Sequence, residues 1–159
     1  MPVAPTPLGT AVPVGGTIAT LAKVSTPFDT NTAYAYQAVY TTMGETAVSF
    51  VLAKQQNILL VTSTLCFLNG GSATFCLIKA QISATNTANC AAANDANGHA
   101  MVATEGCVSP SVNGLSVTST TSFPCPAGTW YGMLQYEMIG GATTTLTNNS
   151  CGVFVYGMG

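Results

Sequence analysis

Apolar and polar residues alternate in short runs along most of this chain, and turn residues separate the runs. The stretches 46–53, 57–67 and 72–82 have the period of two that is typical of half-buried β-strands. No segment has an amphipathic helical period of useful length. The strands predicted farther along the chain are 99–104, 114–122, 128–138, 142–148 and 152–156.

Eight short strands separated by Gly, Pro and Asn predict an all-β domain. We expect an eight-stranded antiparallel jelly-roll sandwich over 46–159. Asn69-Gly70-Gly71 predicts a hairpin between the second and third strands, because Gly tolerates a positive φ. Asn148-Asn149 predicts a turn between the last two strands.

The strand predicted over 128–138 has two faces of different character. Its core face would carry Trp130, Leu134, Tyr136 and Met138. The opposite face, with Tyr131, Met133, Gln135 and Glu137, is still largely apolar. We therefore expect a neighbouring subunit to cover that second face.

Residues 1–45 differ from the rest because Pro recurs among Gly, Thr and Ala. Proline lacks the N–H that a sheet ladder needs and fixes φ. The segment is therefore predicted to be an extended arm and lead-in that precedes the β domain.

Charge is almost absent from the sequence. Three residues are Lys, none is Arg and five are Asp or Glu, so 5% of the 159 residues are charged, against about 25% in a typical domain. No basic patch for nucleic acid can be built from three lysines. Either Ser, Thr, Asn and Gln solvate the surface, or partners bury much of it, which favours an assembly.

Membrane insertion is not expected. No apolar run approaches the roughly 18 residues that a membrane-spanning helix needs. The first sixteen residues have no basic region followed by an apolar region, so we expect no secretory signal and no membrane partner.

Six cysteines are widely spaced, with no C-x-x-C pair that would indicate a zinc ribbon. An even count favours at least one disulfide in an oxidising setting. The alternative is six thiols that act as small core hydrophobes. Our preferred pairs are Cys66–Cys76, Cys90–Cys107 and Cys125–Cys151.

Residues for catalysis or metal binding are sparse. The one histidine, His99, has Asp95 and Glu105 near it in sequence, but nothing in the pattern fixes a metal geometry. The five carboxylates are scattered, so the spacing does not indicate a glycosidase pair. We expect no catalytic residue, no metal and no cofactor.

The C-terminal third carries a recognisable pattern: P-x-P-A-G-T-x-Y, an apolar strand, a Gly turn, a Thr-rich strand and V-F-V-Y. It resembles the closing strands of tumour-necrosis-factor/C1q-like jelly rolls. It is also similar to tailed-phage capsid decoration (cement) and head-fibre proteins. The residues that match are Pro126, Ala127, Gly128, Thr129, Tyr131, Val153, Phe154, Val155 and Tyr156.

This resemblance implies a homotrimer on the surface of a virion, without enzymatic activity, whose partner is the major capsid protein. It implies trimer contacts that include Tyr131, Met133, Phe154 and Tyr156. The arm would contact the capsid through apolar residues and prolines: Pro2, Val3, Pro5, Pro7, Leu8, Val12 and Pro13.

Two other functions remain open at this point. One is a receptor-binding or fibre-tip domain that recognises a cell-surface glycan through the loop 83–98 and the turn at 140–141. The other is a subunit of an extracellular filament, in which the arm would complete a neighbour's sheet.

Overall fold

The computed structural model describes residues 17–26, 31–69, 73–103, 106–108, 115–140 and 144–159. Within these ranges the chain forms ten strands and one 3₁₀ turn, Gly44–Thr46. The strands are β1 Ile18–Ser25, β2 Thr32–Tyr34, β3 Thr41–Thr42, β4 Val48–Leu52, β5 Gln56–Asn69, β6 Ala73–Ser83, β7 Gly106–Val108, β8 Leu115–Cys125, β9 Gly128–Gly140 and β10 Thr145–Met158.

The strands form two antiparallel sheets, so the protein is an all-β sandwich as predicted. The first sheet has the order β1-β10-β5-β8, with β2 paired to β10 beside β1. The second has the order β3-β9-β6-β7, with β4 also paired to β9. Each sheet therefore has a split strand at one edge and two long strands in the middle.

One hydrophobic core fills the space between the sheets. Alternate residues of β5 point into it, because successive side chains of a strand lie on opposite faces. Ile58 and Leu60 are fully buried there. Polar residues continue the row: Thr62 hydrogen-bonds Ser119 at 2.7 Å, and Thr64 donates to Asn148 Oδ1 at 2.9 Å. These bonds satisfy hydroxyls that would otherwise destabilise the core.

The predicted core face of β9 is confirmed. Leu134, Tyr136 and Met138 are at most 2% exposed, and Trp130 packs against the same cluster. The Tyr136 hydroxyl donates to the Ala35 carbonyl at 2.9 Å, and the Trp130 indole donates to the Pro126 carbonyl at 3.0 Å. Tyr136 and Trp130 thus each have a partner for their polar atom.

The predicted hairpin between the second and third strands is wrong. β5 pairs with β10 and β8 in the first sheet, whereas β6 pairs with β9 and β7 in the second. A Gly-rich turn permits either a hairpin or a crossing between sheets. Both strands have an apolar inner face, and placing one in each sheet lets those faces pack against each other.

Three strand boundaries also differ from the prediction. Residues 145–158 form one strand, with a bulge between Asn148 and Ser150 in place of a turn. In 99–103 only isolated bridges form, and the strand β7 comes later. Within the described residues, β1, β2 and β3 fall in the predicted lead-in, so these parts of it belong to the sheets.

The described part of the chain contains no helix of the length and apolar character that crossing a membrane would require.

Candidate interaction surface

The outer face of the first sheet carries an apolar strip, which we call the open face. It consists of the outward side chains of β5 and β10: Leu59, Val61, Leu65, Phe67, Phe154, Tyr156 and Met158. Phe154 lies opposite Val61, and Tyr156 lies opposite Leu59, so these side chains are neighbours across the two strands. All seven retain partial exposure.

Two aromatic rings lie at the centre of the open face. The rings of Phe154 and Tyr156 are stacked, with centroids 6.5 Å apart and planes inclined by 8°. The Phe154 ring lies over Gly152, where a Cβ would come within 2.7 Å of its Cε2 atom. Glycine is therefore the residue that lets this ring lie flat on the sheet.

The borders of the open face are polar but almost uncharged. On the β8 side, Ser122 lies opposite Leu59 and Thr120 opposite Val61. On the β1 side, Lys23 lies opposite Phe154. Among the described residues Lys23 is the one charged side chain at this face, so two such faces would meet with little electrostatic repulsion.

The outer face of the second sheet differs, because the chain itself covers part of it; we call the covered part the covered face. Val51 and Ile139, elsewhere on the same side, remain 69% and 39% exposed. Gln81, Met133 and Gln135 point outward from β6 and β9, yet each is 0% exposed. The loop 84–99 lies over them. The Thr42 hydroxyl, on the adjacent strand β3, contacts Met133 Sδ at 3.4 Å and Gln135 Nε2 at 3.3 Å. The Thr42 amide donates to the Ala88 carbonyl at 2.7 Å, which joins β3 to that loop.

Cys90 anchors the loop to the covered face. Its carbonyl accepts hydrogen bonds from Gln81 Nε2 at 2.9 Å and from Gln135 Nε2 at 3.0 Å. Its Sγ lies 3.2 Å from Met133 Sδ. Both glutamine Oε1 atoms are buried with no hydrogen-bond partner, so the two amides act only as donors. Both donate to this carbonyl, and Gln135 Nε2 also donates to the Thr42 hydroxyl at 3.3 Å.

The far end of the loop is held by Asp95. Its Oδ1 accepts the backbone N–H groups of Asn97 at 2.8 Å and His99 at 2.9 Å. These contacts, the His99 N–H first, lower the pKa of Asp95 below its usual 3.8. The Ala96 N–H donates to the Pro124 carbonyl at 2.7 Å and ties the loop to the end of β8.

Of the three residues considered for a metal, the structure describes two, Asp95 and His99. The His99 ring is 80% exposed, with Nδ1 3.8 Å from Asp95 Oδ2. Glu105 lies outside the described residues. No group of three His, Cys, Asp or Glu side chains in the described ranges could hold an ion, and these ranges enclose no pocket for a small ligand.

The described residues contain no disulfide, so none of the preferred pairs is formed. Cys66 and Cys76 lie on strands of opposite sheets, in the core, rather than level across a hairpin. Burial, and then the nearby Cys66 thiol, raise the pKa of Cys76 to about 12. Burial raises the pKa of Cys125 to about 11. Both are neutral thiols that pack as small hydrophobes.

The structure divides the four predicted trimer contacts between opposite sides of the sandwich. Phe154 and Tyr156 lie on the open face. Tyr131 and Met133 lie on the outer side of the second sheet, and Met133 is fully buried under Cys90. Met133 is thus covered by its own chain. A neighbouring subunit therefore cannot contact this side chain.

Other sequence expectations have different outcomes. The arm candidates, Pro2 to Pro13, lie outside the described residues.

The sequence did not identify Gln81, Cys90 and Gln135 as one cluster. The signal that was available is an apolar second face of β9 interrupted by one glutamine, but nothing in the pattern shows which loop lies over it.

No family model matches this chain, and no curated protein matches it. Among solved structures, the crystal structure of dimeric latent PorU from Porphyromonas gingivalis is similar, with a TM-score of 0.38 and 10% sequence identity. The alignment covers 88% of this chain and 13% of the PorU chain, so this chain spans a small part of that protein.

Proposed function

We propose that this protein is a virion structural protein that decorates a capsid. In this proposal, copies associate into a homotrimer through the open face, and the trimer stabilises contacts between capsomers of the major capsid protein. The observation that carries the proposal is the open face itself, a partly exposed apolar strip on a domain with very few charges.

The order of the strands supports the jelly-roll part of this proposal. If β1 with β2, and β3 with β4, each count as one split strand, the described ranges contain eight strand positions. In chain order the first sheet then holds positions 1, 8, 3 and 6, and the second holds 2, 7, 4 and 5. This strand order supports a jelly roll, a fold that is used by viral capsid domains.

The chemistry of the open face supports self-association. Phe154, Tyr156, Val61 and Leu59 form one patch across two neighbouring strands. Burying each such side chain contributes about 1.5–3 kcal/mol relative to exposure. Since Lys23 is the one charge there in the described ranges, association should persist at high salt. The two stacked rings suit the aromatic axis that the resemblance to C1q-like trimers implies.

The test is the mass of the protein in solution by analytical ultracentrifugation, at low and high salt and with and without reductant. In dilute solution we expect a trimer that persists in about 1 M salt, where the screening length falls to about 3 Å. Tyr156→Lys should give monomers, because it places charge in the centre of the contact. The matched control is Tyr131→Lys, on the outer side of the second sheet, which should leave the trimer intact.

A monomeric wild-type protein, or a trimer that Tyr131→Lys dissociates and Tyr156→Lys does not, would overturn the assigned surface. Binding to capsids tests the role on the particle. We expect many copies per capsid, and we expect deletion of residues 1–16 to abolish capsid binding while the trimer remains. A few copies per particle with binding to glycans would favour a fibre tip, and open-ended polymers would favour a filament.

A further inference from the structure

The four sheet edges differ in how they are protected against pairing with another strand. Exposed edges present unpaired N–H and C=O groups, and proteins normally block them with charges, bulges, prolines or short strands. β1 has a bulge between Thr20 and Ala22 and carries the exposed Lys23. On the second sheet, β3 and β4 are separated by a 3₁₀ turn, and β7 has only three residues.

β8 lacks nearly all of these devices. It is an edge strand of eleven residues, none of them charged, and its pairing with β5 runs without a bulge from Leu115 to Cys125. Its outward side chains are exposed hydroxyls, those of Ser116, Thr118, Thr120 and Ser122. The single proline, Pro124, is at the end of the strand. Its carbonyl accepts a hydrogen bond from the Ala96 amide.

The bond from Ala96 also identifies which backbone groups point away from β5. In an antiparallel strand the N–H and C=O of one residue point to the same side, and the side alternates along the chain. Since the Pro124 carbonyl faces away from β5, the same holds for Ser122, Thr120, Thr118 and Ser116. In the described part of the chain, no backbone hydrogen bond outside the ladders involves these four residues.

We propose that the free edge of β8 is a second self-association surface, at which β8 of another copy pairs antiparallel to it across a twofold axis. In this register Ser116 of one copy lies opposite Ser122 of the other, and Thr118 lies opposite Thr120. The four residues whose N–H and C=O groups point away from β5 are then all paired with one another. Each free N–H then donates to a free carbonyl of the other copy. The first sheets of two copies become one continuous sheet.

A second copy fits this edge because the strand is self-complementary. Residues 115–125 carry no charge, so two copies of the strand do not repel each other electrostatically. Ser and Thr opposite each other form favourable cross-strand pairs. This contact uses the edge of β8, whereas the proposed trimer uses the strip on β5 and β10, so either contact can fail while the other holds.

Amide hydrogen exchange read by NMR tests the pairing residue by residue. In concentrated wild-type protein we expect slow exchange at both the ladder amides of β8, such as Ser119 and Thr121, and the free-edge amides. In Thr118→Lys/Thr120→Lys the free-edge amides of Ser116 and Ser122 should exchange about tenfold faster or more, as one lost hydrogen bond implies. The ladder amides should remain slow, which shows that the variant is folded.

The matched control is Ser49→Lys, on the exposed side of β4 in the other sheet, which should leave the exchange pattern unchanged. Sedimentation should show smaller species for the double Lys variant than for this control. The proposal is overturned if free-edge amides exchange fast in wild-type protein at high concentration. It is also overturned if they stay slow in the Lys variant, since a segment of the same chain would then occupy the edge.

Discussion

The outer faces of the two sheets both carry apolar residues. On one sheet the chain itself buries some of them, and on the other they remain partly exposed. On the second sheet, Met133, Gln81 and Gln135 are fully buried because the loop 84–99 lies over them and contacts all three through Cys90. On the first sheet, Phe154 and Tyr156 remain partly exposed. The difference shows that an apolar outer face indicates a cover without saying whether the cover is the same chain or another molecule.

The strongest test of this difference is the same substitution on both faces. Met133→Asp places an unpaired charge in a buried site and should lower the free energy of unfolding by more than about 3 kcal/mol. Compared between dissociated monomers, Phe154→Asp should change it by about 1 kcal/mol or less, because solvent still reaches the site. The same substitution should abolish association. Urea unfolding and ultracentrifugation measure the two effects. Equal loss of stability in both variants would contradict the division into open and covered faces.

The anchor of the loop can be tested by a double-mutant cycle. Gln81→Met or Gln135→Met alone should be nearly neutral, because the Cys90 carbonyl keeps one donor and one unsatisfied Oε1 atom is removed. The double variant leaves that buried carbonyl without either amide and should cost about 1–3 kcal/mol. Exchange of the Ala93 amide, which donates to the Ile82 carbonyl, reports release of the loop. Additive effects would show that the two amides act independently.

A smaller effect is expected at Gly152, where an added Cβ would displace the Phe154 ring. Gly152→Ala should weaken self-association about tenfold and change the free energy of unfolding by about 1 kcal/mol. Gly44→Ala is the control, since nothing lies within 4 Å of a Cβ at that position. Unchanged association in Gly152→Ala would mean that the flat ring is not part of the contact.

The smallest expected effect is the pH dependence of the loop. The pKa of Asp95 is lowered in the folded protein, so its carboxylate contributes stability that is fully present above the unfolded value of 3.8. That contribution disappears as pH falls through the lowered pKa. Exchange of the Asn97 amide should therefore accelerate at the acid end in wild type, relative to Asp95→Asn, while association through the open face stays constant. A parallel acid loss in both proteins would exclude Asp95 as the cause.

The sequence predicted the strands well and their partners poorly. Five of the predicted strands match β4, β5, β6, β8 and β9 closely, because alternation and turn residues are local signals. The predicted Asn69–Gly71 hairpin and the pairing of Cys66 with Cys76 failed together. Both required β5 and β6 to pair in one sheet. Which strands pair is decided by packing over the whole chain.

The candidate surface was partly predictable for the same reason. Phe154 and Tyr156 could be placed on one side of a strand from their spacing alone. The burial of Met133 could not be predicted, because the loop that covers it is rich in Ala, Asn and Thr and carries no apolar period. Its position depends on Gln81 and Gln135, which come from two different strands and meet only at the Cys90 carbonyl.

By itself, the sequence determined an all-β protein with little charge and one long strand, 128–138, whose two faces are both largely apolar. These properties follow from residue type and from the period of two, which act over a few neighbours. Only the tertiary structure decided which strands share a sheet, which outer face the chain covers and which edge is left without protection. Those outcomes depend on hydrogen bonds and packing between residues far apart in the chain, which no local pattern encodes.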